Sequence, residues 1–225
     1  MNWAIIFDVD GVLLELTPEE EELFFVPFAS RFDATSLSRD WNSYKIRNDE
    51  DIVHEIVDTH GLPVGEATLI KTEYLDILGR ALKRGLKSVP IAGAATLLKT
   101  FAPLAHLGIA TANFRLAAEM RLRQAEMCEP VSGLAFGAEG GGHKSAILAR
   151  AIAATGLPKS RIIFIGDNVS DVVAGLENQV HFIGFSTSPK RLSLLREAGA
   201  VNLCGAHGHT ENIVRQLLNA AIEDE

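Results

Sequence analysis

Short continuous apolar runs recur along the chain, and each ends at a polar residue or a glycine. The first covers residues 4–7, Ala-Ile-Ile-Phe, and stops at Asp8. Runs of this length without polar alternation are typical of strands that are buried on both faces. Similar runs cover residues 108–110, 133–136, 161–165 and 180–183. The pattern therefore predicts a buried strand at each of these places.

Segments of helical length separate the predicted strands. They have apolar residues three and four positions apart and cover residues 92–104, 116–127, 144–155 and 169–177. Strands that alternate with helices form a parallel sheet covered by helices. The expected fold class is therefore α/β, with a parallel-sheet core.

The stretch between the first two predicted strands breaks this rhythm. It contains no convincing buried strand, and its pattern predicts several helices, including residues 49–60 and 66–82. Asn48 would cap the first of these helices, and the acidic residues after it suit a helix N-terminus. We expect a core made of residues 1–16 and 88–225, interrupted by a helical insertion over residues 17–87.

Composition and charge restrict the classes of partner. The 225 residues are 47% hydrophobic and 22% charged, which indicates a globular protein, and the net charge of −8 opposes binding to nucleic acids or anionic membranes. Two cysteines without metal-ligand spacing favour the reducing cytoplasm. No apolar stretch approaches ~18 residues, so neither a leader nor a membrane span is expected. A monomer and a homodimer both remain open.

The polar residues with chemical potential follow the predicted strands. Because ligands bind at the carboxyl ends of parallel strands, these side chains should converge on one cleft. Asp8 and Asp10 lie two residues apart where the chain leaves the first predicted strand. The residues expected at the cleft are Asp8, Asp10, Thr111, Asn113, Lys144, Asp167 and Asp171.

Four of these segments resemble the motifs of the haloacid dehalogenase superfamily. Residues 7–12 match its first motif, residues 109–113 its second, Lys144 its third and residues 165–171 its fourth. Residues 90–94 and 196–200 resemble its phosphoglycolate phosphatase and β-phosphoglucomutase branch. The resemblance implies a Rossmann-like core, and it implies that residues 17–87 form a helical cap of the family's first type.

The resemblance also implies roles for individual residues. Asp8 would be the nucleophile and Asp10 the general acid and base, while Thr111, Asn113 and Lys144 would hold the phosphate. The expected cofactor is Mg²⁺. Its ligands would be Asp8, Asp167, the carbonyl of Asp10, and Asp171 directly or through water.

A charge argument supports the cation independently. Asp8, Asp167 and Asp171 would surround a dianionic substrate, and two unit charges 4 Å apart repel by roughly 4 kcal/mol at an effective dielectric constant near 20. Lys144 alone would not offset this repulsion. A hard divalent cation such as Mg²⁺ has the preference for oxygen ligands that the site needs.

The function expected from these features is hydrolysis of a small phosphorylated metabolite through an aspartyl-phosphate. Lys45 or Arg47 could bind an anionic group on the leaving part of the substrate, although a solvated charged turn fits them equally well. A phosphosugar mutase and a catalytically idle phosphate sensor stay open as alternatives. Asp10 and the pair Asp167 and Asp171 argue against a true dehalogenase. His207 and His209 are expected at the surface.

Overall fold

In the part of the chain that the structure describes, six parallel strands form one central sheet. The structure is a computed structural model that describes residues 1–223. The order across the sheet is β3-β2-β1-β4-β5-β6, which confirms the α/β class. The strands are β1 (Ala4–Phe7), β2 (His106–Ala110), β3 (Ala135–Phe136), β4 (Ile162–Gly166), β5 (His181–Phe185) and β6 (Asn202–Cys204).

The pairing register brings three loops together. Phe7, the last residue of β1, lies opposite Ile109 of β2 on one side and Ile165 of β4 on the other. The chain therefore leaves β1, β2 and β4 at nearly the same level of the sheet. The predicted site residues follow these strand ends, so the register places them along the carboxyl ends of neighbouring strands.

Helices cover both faces of the sheet. Along β1, Ile5 and Phe7 pack into one hydrophobic cluster, whereas Ala4 and Ile6 pack into another on the opposite face. The strand is buried on both sides, as its unbroken apolar sequence predicts. The helices outside the insertion are α4 (Ala94–Phe101), α5 (Arg115–Gln124), α6 (Lys144–Thr155), α7 (Val169–Asn178), α8 (Pro189–Glu197) and α9 (His207–Glu223).

The insertion between β1 and β2 is helical and has its own hydrophobic cluster. Phe24, Phe28, Ile56 and Tyr74 are buried in this cluster, which continues onto Phe114 at the start of α5. The α-helices of the insertion are α1 (Pro18–Phe25), α2 (Asp49–Thr59) and α3 (Glu66–Lys83), and short 3₁₀ turns at Val26–Ser30, Ala34–Ser36 and Trp41–Ser43 lie between α1 and α2.

The two chain segments that connect the insertion to the core are paired with each other. The N–H of Glu15 donates to the carbonyl of Val89 at 2.8 Å, and that of Ile91 donates to the carbonyl of Leu13 at 3.0 Å. Leu14 and Pro90 lie opposite each other in antiparallel orientation. We refer to residues 13–15 and 89–91 as the paired connection.

Several elements differ from the sequence prediction. The run at 133–136 is a strand only at Ala135–Phe136, because residues Glu129–Leu134 form a 3₁₀ turn with a proline at its second position. The sequence pattern did not predict β6, a three-residue edge strand whose first two residues are half-buried, or the helices α8 and α9. Glu223 ends α9, and residues 224 and 225 lie outside the described residues.

The surface position expected for His207 is wrong. Its ring is buried and stacks on Phe185 with the ring centroids 4.1 Å apart, and its Nε2 lies 2.8 Å from the carbonyl oxygen of Val12. His209 is exposed as expected. The His-Gly-His sequence does not reveal that the first turn of α9 packs against the loop after β1.

Among the described residues, no helix combines the length and the apolar character that a membrane crossing requires.

Candidate active site

The chain turns sharply as soon as it leaves β1. The N–H of Asp8 donates to the carbonyl of Ile165 at 2.8 Å, which continues the sheet by one residue. One carboxylate oxygen of Asp8 accepts from the N–H of Val9 at 2.7 Å. The turn needs Gly11, which has a φ of +78° and donates its N–H to the carbonyl of Leu14. Asp8 is thereby held at the carboxyl end of β1, with only 7% of its surface exposed.

The first turn of α6 places a buried lysine between two of the predicted carboxylates. Lys144 Nζ lies 2.8 Å from Oδ2 of Asp8 and 2.8 Å from Oδ1 of Asp171. Burial opposes the ammonium charge, but Asp171 and Asp8 outweigh this effect and raise the pKa of Lys144. Lys144 is therefore a permanent positive charge beside the predicted nucleophile.

The loop after β4 is organised by Asp171. Its Oδ2 accepts from the N–H groups of Asp167 and Asn168 at 3.1 and 3.0 Å. Asn168 caps α7 in return, so that the two side chains form a reciprocal capping box. Capping of α7 and the predicted site function therefore coexist in this motif. Asp171 fixes the backbone from which Asp167 projects.

The three acidic side chains fit a divalent cation. Asp8, Asp167 and Asp171 each offer a carboxylate oxygen, and these oxygens all lie within 4.8 Å of one another. A set of hard oxygen ligands of this kind suits Mg²⁺. A Cβ atom on Gly11 would lie 2.3 Å from Oδ2 of Asp167, so the glycine keeps this space open for the carboxylate.

The crowding and burial of these carboxylates raise their pKa values. Burial raises the pKa of Asp8 to about 8, with Asp171 and Asp167 adding to the rise and Lys144 opposing it. Burial and the charge of Asp171 likewise raise the pKa of Asp167 to about 7, against the effect of Arg191. A bound cation would remove this penalty by favouring the charged carboxylates.

Thr111 and Asn113 follow β2, at the same end of the sheet as Asp8 and Asp167. The hydroxyl of Thr111 donates to Oδ1 of Asn113 at 3.1 Å and accepts from the N–H of Asn113 at 3.2 Å. These two residues line a cavity of about 280 Å³ together with Asp8, Asp10, Lys144 and Asp167. The structure therefore brings together the residues that the sequence placed at the cleft, and Asp171 lies directly behind them.

Arg121 is a site residue that sequence reasoning missed. It lies on α5, is only 3% exposed and lines the cavity. Its Nη1 donates to Oδ1 of Asp10 at 2.7 Å, and its Nε donates to Oε1 of Glu20 on α1 at 2.9 Å. A signal existed in the sequence. Arg121 falls four residues after Ala117 and three after Ala118, on the buried face of its helix, where a charge needs a partner.

A second missed residue is Arg191 on α8. Its Nη1 lies 3.1 Å from Oδ2 of Asp167, and it also lines the cavity. The side chain is 44% exposed, so the pair is worth little to stability. No pattern in the sequence indicates this contact, because α8 itself was not predicted.

The start of α2 closes the cavity from the side of the insertion. The N–H of Asp49 donates to the carbonyl of Ala112, and Oδ2 of Asp49 accepts from the N–H of Phe114 at 2.7 Å. Nδ2 of Asn48 donates to the carbonyl of Gly142 at 2.8 Å, and Oδ2 of Asp51 accepts from the N–H of Gly142 at 2.7 Å. The predicted N-terminal cap of α2 therefore also joins the insertion to the loops that carry Thr111 and Lys144.

The two basic residues predicted to contact the substrate behave differently. Arg47 is exposed and lines the cavity. Lys45 is also exposed, but its side chain is not part of the cavity wall, and its N–H donates to Glu55.

Gly11→Ala should lower both the free energy of unfolding and the affinity for divalent metal. The left-handed backbone costs a residue with a Cβ roughly 1–2 kcal/mol, and the new methyl group would displace the carboxylate of Asp167. Urea denaturation and a metal titration would measure the two effects.

Gly65→Ala is the matched control, because a Cβ at Gly65 meets no atom within 4 Å and the residue has an ordinary backbone conformation. Equal behaviour of the two variants would show that the space between Gly11 and Asp167 is unimportant.

Comparisons with known proteins identify the family. The family model of haloacid dehalogenase-like hydrolases matches residues 4–177, which span most of the chain. The chain therefore belongs to the haloacid dehalogenase-like hydrolases, as the resemblance of its motifs indicated. No curated protein matches it by sequence.

Solved structures share the whole fold at low sequence identity. A predicted phosphatase from Clostridium acetobutylicum has a TM-score of 0.68 at 16% identity, with 96% of this chain and 99% of that chain covered. A predicted phosphoglycolate phosphatase from Haemophilus somnus has a TM-score of 0.69 at 16% identity, with 94% and 97% covered. A family hydrolase from Deinococcus radiodurans R1, solved with bound phosphate and sodium, has a TM-score of 0.60 at 19% identity and 95% coverage of both chains.

Proposed function

We propose that the protein is a Mg²⁺-dependent phosphatase that hydrolyses a small phosphomonoester through an aspartyl-phosphate intermediate. One observation carries the proposal: Asp8, Asp10, Thr111, Lys144 and Asp167 line a single cavity. A carboxylate nucleophile, a second carboxylate, phosphate-binding donors and a cluster of acidic metal ligands are the parts that phosphoryl transfer requires. The matched family and the likeness to a structure with bound phosphate support it.

In the proposed first step, a carboxylate oxygen of Asp8 forms a bond to phosphorus while the bond to the leaving oxygen breaks. Asp10 gives its proton to that leaving oxygen, so the product is an alcohol. In the second step, Asp10 takes a proton from water, and the water oxygen attacks phosphorus and releases Asp8. Asp8 is then again a free carboxylate and Asp10 is again protonated.

Lys144, Thr111 and Asn113 would stabilise the transferred group. The ammonium of Lys144 already lies against Asp8 and would contact a non-bridging oxygen of a phosphate attacked by that carboxylate. Thr111 is 1% exposed, follows the neighbouring strand β2 at the same end of the sheet, and lines the cavity. Asp8, Asp167, Asp171 and the carbonyl of Asp10 would hold Mg²⁺, and the chemistry supplied by the bound ion would be neutralisation of phosphate charge.

The same proposal includes the organisation expected from the sequence. Residues 1–16 and 88–225 form the catalytic core, and residues 17–87 form the helical cap. The paired connection at residues 13–15 and 89–91 supports these boundaries, because the cap enters and leaves the core there. The proposed setting is the cytoplasm, with a small phosphorylated metabolite as the partner and a monomer or homodimer as the working form.

Hydrolysis of 4-nitrophenyl phosphate, with and without chelator, tests the proposed function. Turnover that needs Mg²⁺ and releases inorganic phosphate is expected. Return of the phosphoryl group to a sugar phosphate, stimulated by a sugar bisphosphate, would indicate the mutase instead. Phosphate binding without turnover of any ester would indicate the sensor.

Millimolar Mg²⁺ should raise the melting temperature of the purified protein. At a Mg²⁺ concentration ten times the dissociation constant, binding would stabilise the folded state by about 1.4 kcal/mol. This corresponds to a rise in melting temperature of roughly 3–6 °C for a chain of this size. Differential scanning fluorimetry with a Mg²⁺ titration would measure the shift.

Asp167→Asn should abolish most of this shift, because it removes a carboxylate from the cluster. Asp58→Asn, at an exposed position on α2, should keep it. An equal shift in both variants would place the ion elsewhere.

A further inference from the structure

The cavity has a second half, beyond the phosphate-binding residues, that is walled by the cap. Its surface is aromatic and aliphatic, with Phe24, Trp41, Ile52 and Tyr74 among the lining residues. The cap also contributes three carboxyl groups to this wall, from Glu20, Glu21 and Asp49. In the proposed reaction, the leaving alcohol of the substrate would occupy this half.

The cations near this wall do not balance its carboxylates. Arg121 is shared between Asp10 and Glu20, and its Nη2 also donates to the carbonyl of Glu15. These partners neutralise its charge. Arg47 is the one basic residue that the cap contributes to the described cavity wall, and it is exposed, so water screens it.

Asp49 is the carboxyl group that remains available to a ligand. It is 5% exposed and lines the cavity. Its Oδ2 accepts from the N–H of Phe114, and no described residue donates to its Oδ1. Glu20 is engaged by Arg121 and by the hydroxyl of Ser88, and Glu21 accepts from Nε1 of Trp41. Asp49 thus has a carboxylate oxygen to which no described residue donates, on a side chain that lines the cavity.

The environment of Asp49 shows what this oxygen lacks. Burial raises the pKa of Asp49 to about 7, against the N–H of Phe114, and the charge of Asp10 adds to the rise. A positively charged donor next to Asp49 would compensate its buried charge, whereas a further anion would increase the repulsion.

We propose that Asp49 selects phosphomonoesters whose leaving alcohol carries a protonated amine, and that it disfavours substrates with a second anionic group. The inference rests on the proposed phosphatase function and names its substrate class. An ammonium group would donate to Oδ1 of Asp49, and its alkyl chain would pack against the aromatic wall, where cation–π contact with Trp41 or Tyr74 adds attraction.

Three two-carbon phosphate esters test the proposal. O-Phosphoethanolamine carries an ammonium group, ethyl phosphate carries no second charge, and 2-phosphoglycolate carries a carboxylate. We expect kcat/KM to fall in this order, with the ammonium ester favoured over the carboxylate ester by at least about tenfold, the usual size of one charged hydrogen bond.

Asp49→Asn should reduce this preference by about tenfold, because it removes the charge while its amide oxygen can still accept from Phe114. The preference is a ratio between two substrates of one preparation, so a loss of folded protein does not change it. Asp58→Asn makes the same chemical change at an exposed position of the same helix and should leave the ratio unchanged.

The possible failures are distinguishable. If the wild type hydrolyses 4-nitrophenyl phosphate but prefers 2-phosphoglycolate over O-phosphoethanolamine, the positive charge of Arg47 outweighs the charge of Asp49 and the inference is wrong. An unchanged ratio in Asp49→Asn, or turnover of the aryl ester with none of the three alkyl esters, also overturns it. Absence of turnover with every ester would instead contradict the proposed phosphatase function itself.

Discussion

Asp8→Asn is expected to lower kcat for 4-nitrophenyl phosphate by at least about 10³-fold, because the amide oxygen is a far weaker nucleophile than a carboxylate. The substitution keeps the shape of the side chain and an oxygen that can accept from the N–H of Val9. Steady-state phosphate release measures the effect. Retention of a tenth or more of the activity would rule out covalent transfer to Asp8.

The same variant should have a raised melting temperature in metal-free buffer. Asp8 is buried beside Asp167 and Asp171, and its pKa of about 8 in the folded state exceeds the ordinary value of 3.8. A raised pKa means that the charged carboxylate destabilises the folded state as the pH rises above the ordinary value. A neutral side chain removes that cost, so inactivity combined with unchanged or higher stability would separate a chemical role from a structural one.

Arg121→Met is expected to reduce the free energy of unfolding by roughly 3–5 kcal/mol. Arg121 and Glu20 are each only 3% exposed, and the substitution leaves the buried carboxylate of Glu20 without its cation. Asp10 also loses the donor that holds its Oδ1, so kcat should fall as well. Urea denaturation followed by circular dichroism would measure the stability.

Two further variants separate charge from packing at this position. Glu20→Gln combined with Arg121→Met should recover much of the lost stability, because the most deeply buried carboxylate that Arg121 had paired is then neutral. Arg123→Met, two residues along the same helix and exposed, should change stability by less than about 0.5 kcal/mol. Equal losses in Arg121→Met and Arg123→Met would show that the buried ion pairs contribute little.

The sheet was predictable because its strands are buried on both faces. The uninterrupted apolar run of β1 predicts the strand, and the site residues Asp8 and Asp10 follow it directly in the sequence. β6 was not predictable in this way, because it is short and its first two residues are only half-buried. Elements at the edge of a sheet bury less surface and leave a weaker pattern.

The core half of the site was easier to predict than the cap half. Asp8, Thr111, Lys144 and Asp167 each follow or begin a regular element, so topology alone brings them together. Arg121 and Asp49 reach the cavity through tertiary packing between the cap and α5. The sequence signal of Arg121 is a charge on a buried helix face, and that of Asp49 is an acid next to a helix cap. Both signals have common structural explanations that do not specify a partner.

The paired connection at residues 13–15 and 89–91 has a consequence for how such a protein can change over time. The cap segment starts and finishes at adjacent points, so additions or losses within it leave the spacing of the catalytic loops untouched. Selection can therefore remodel what the enzyme recognises while the machinery that breaks the bond stays constant.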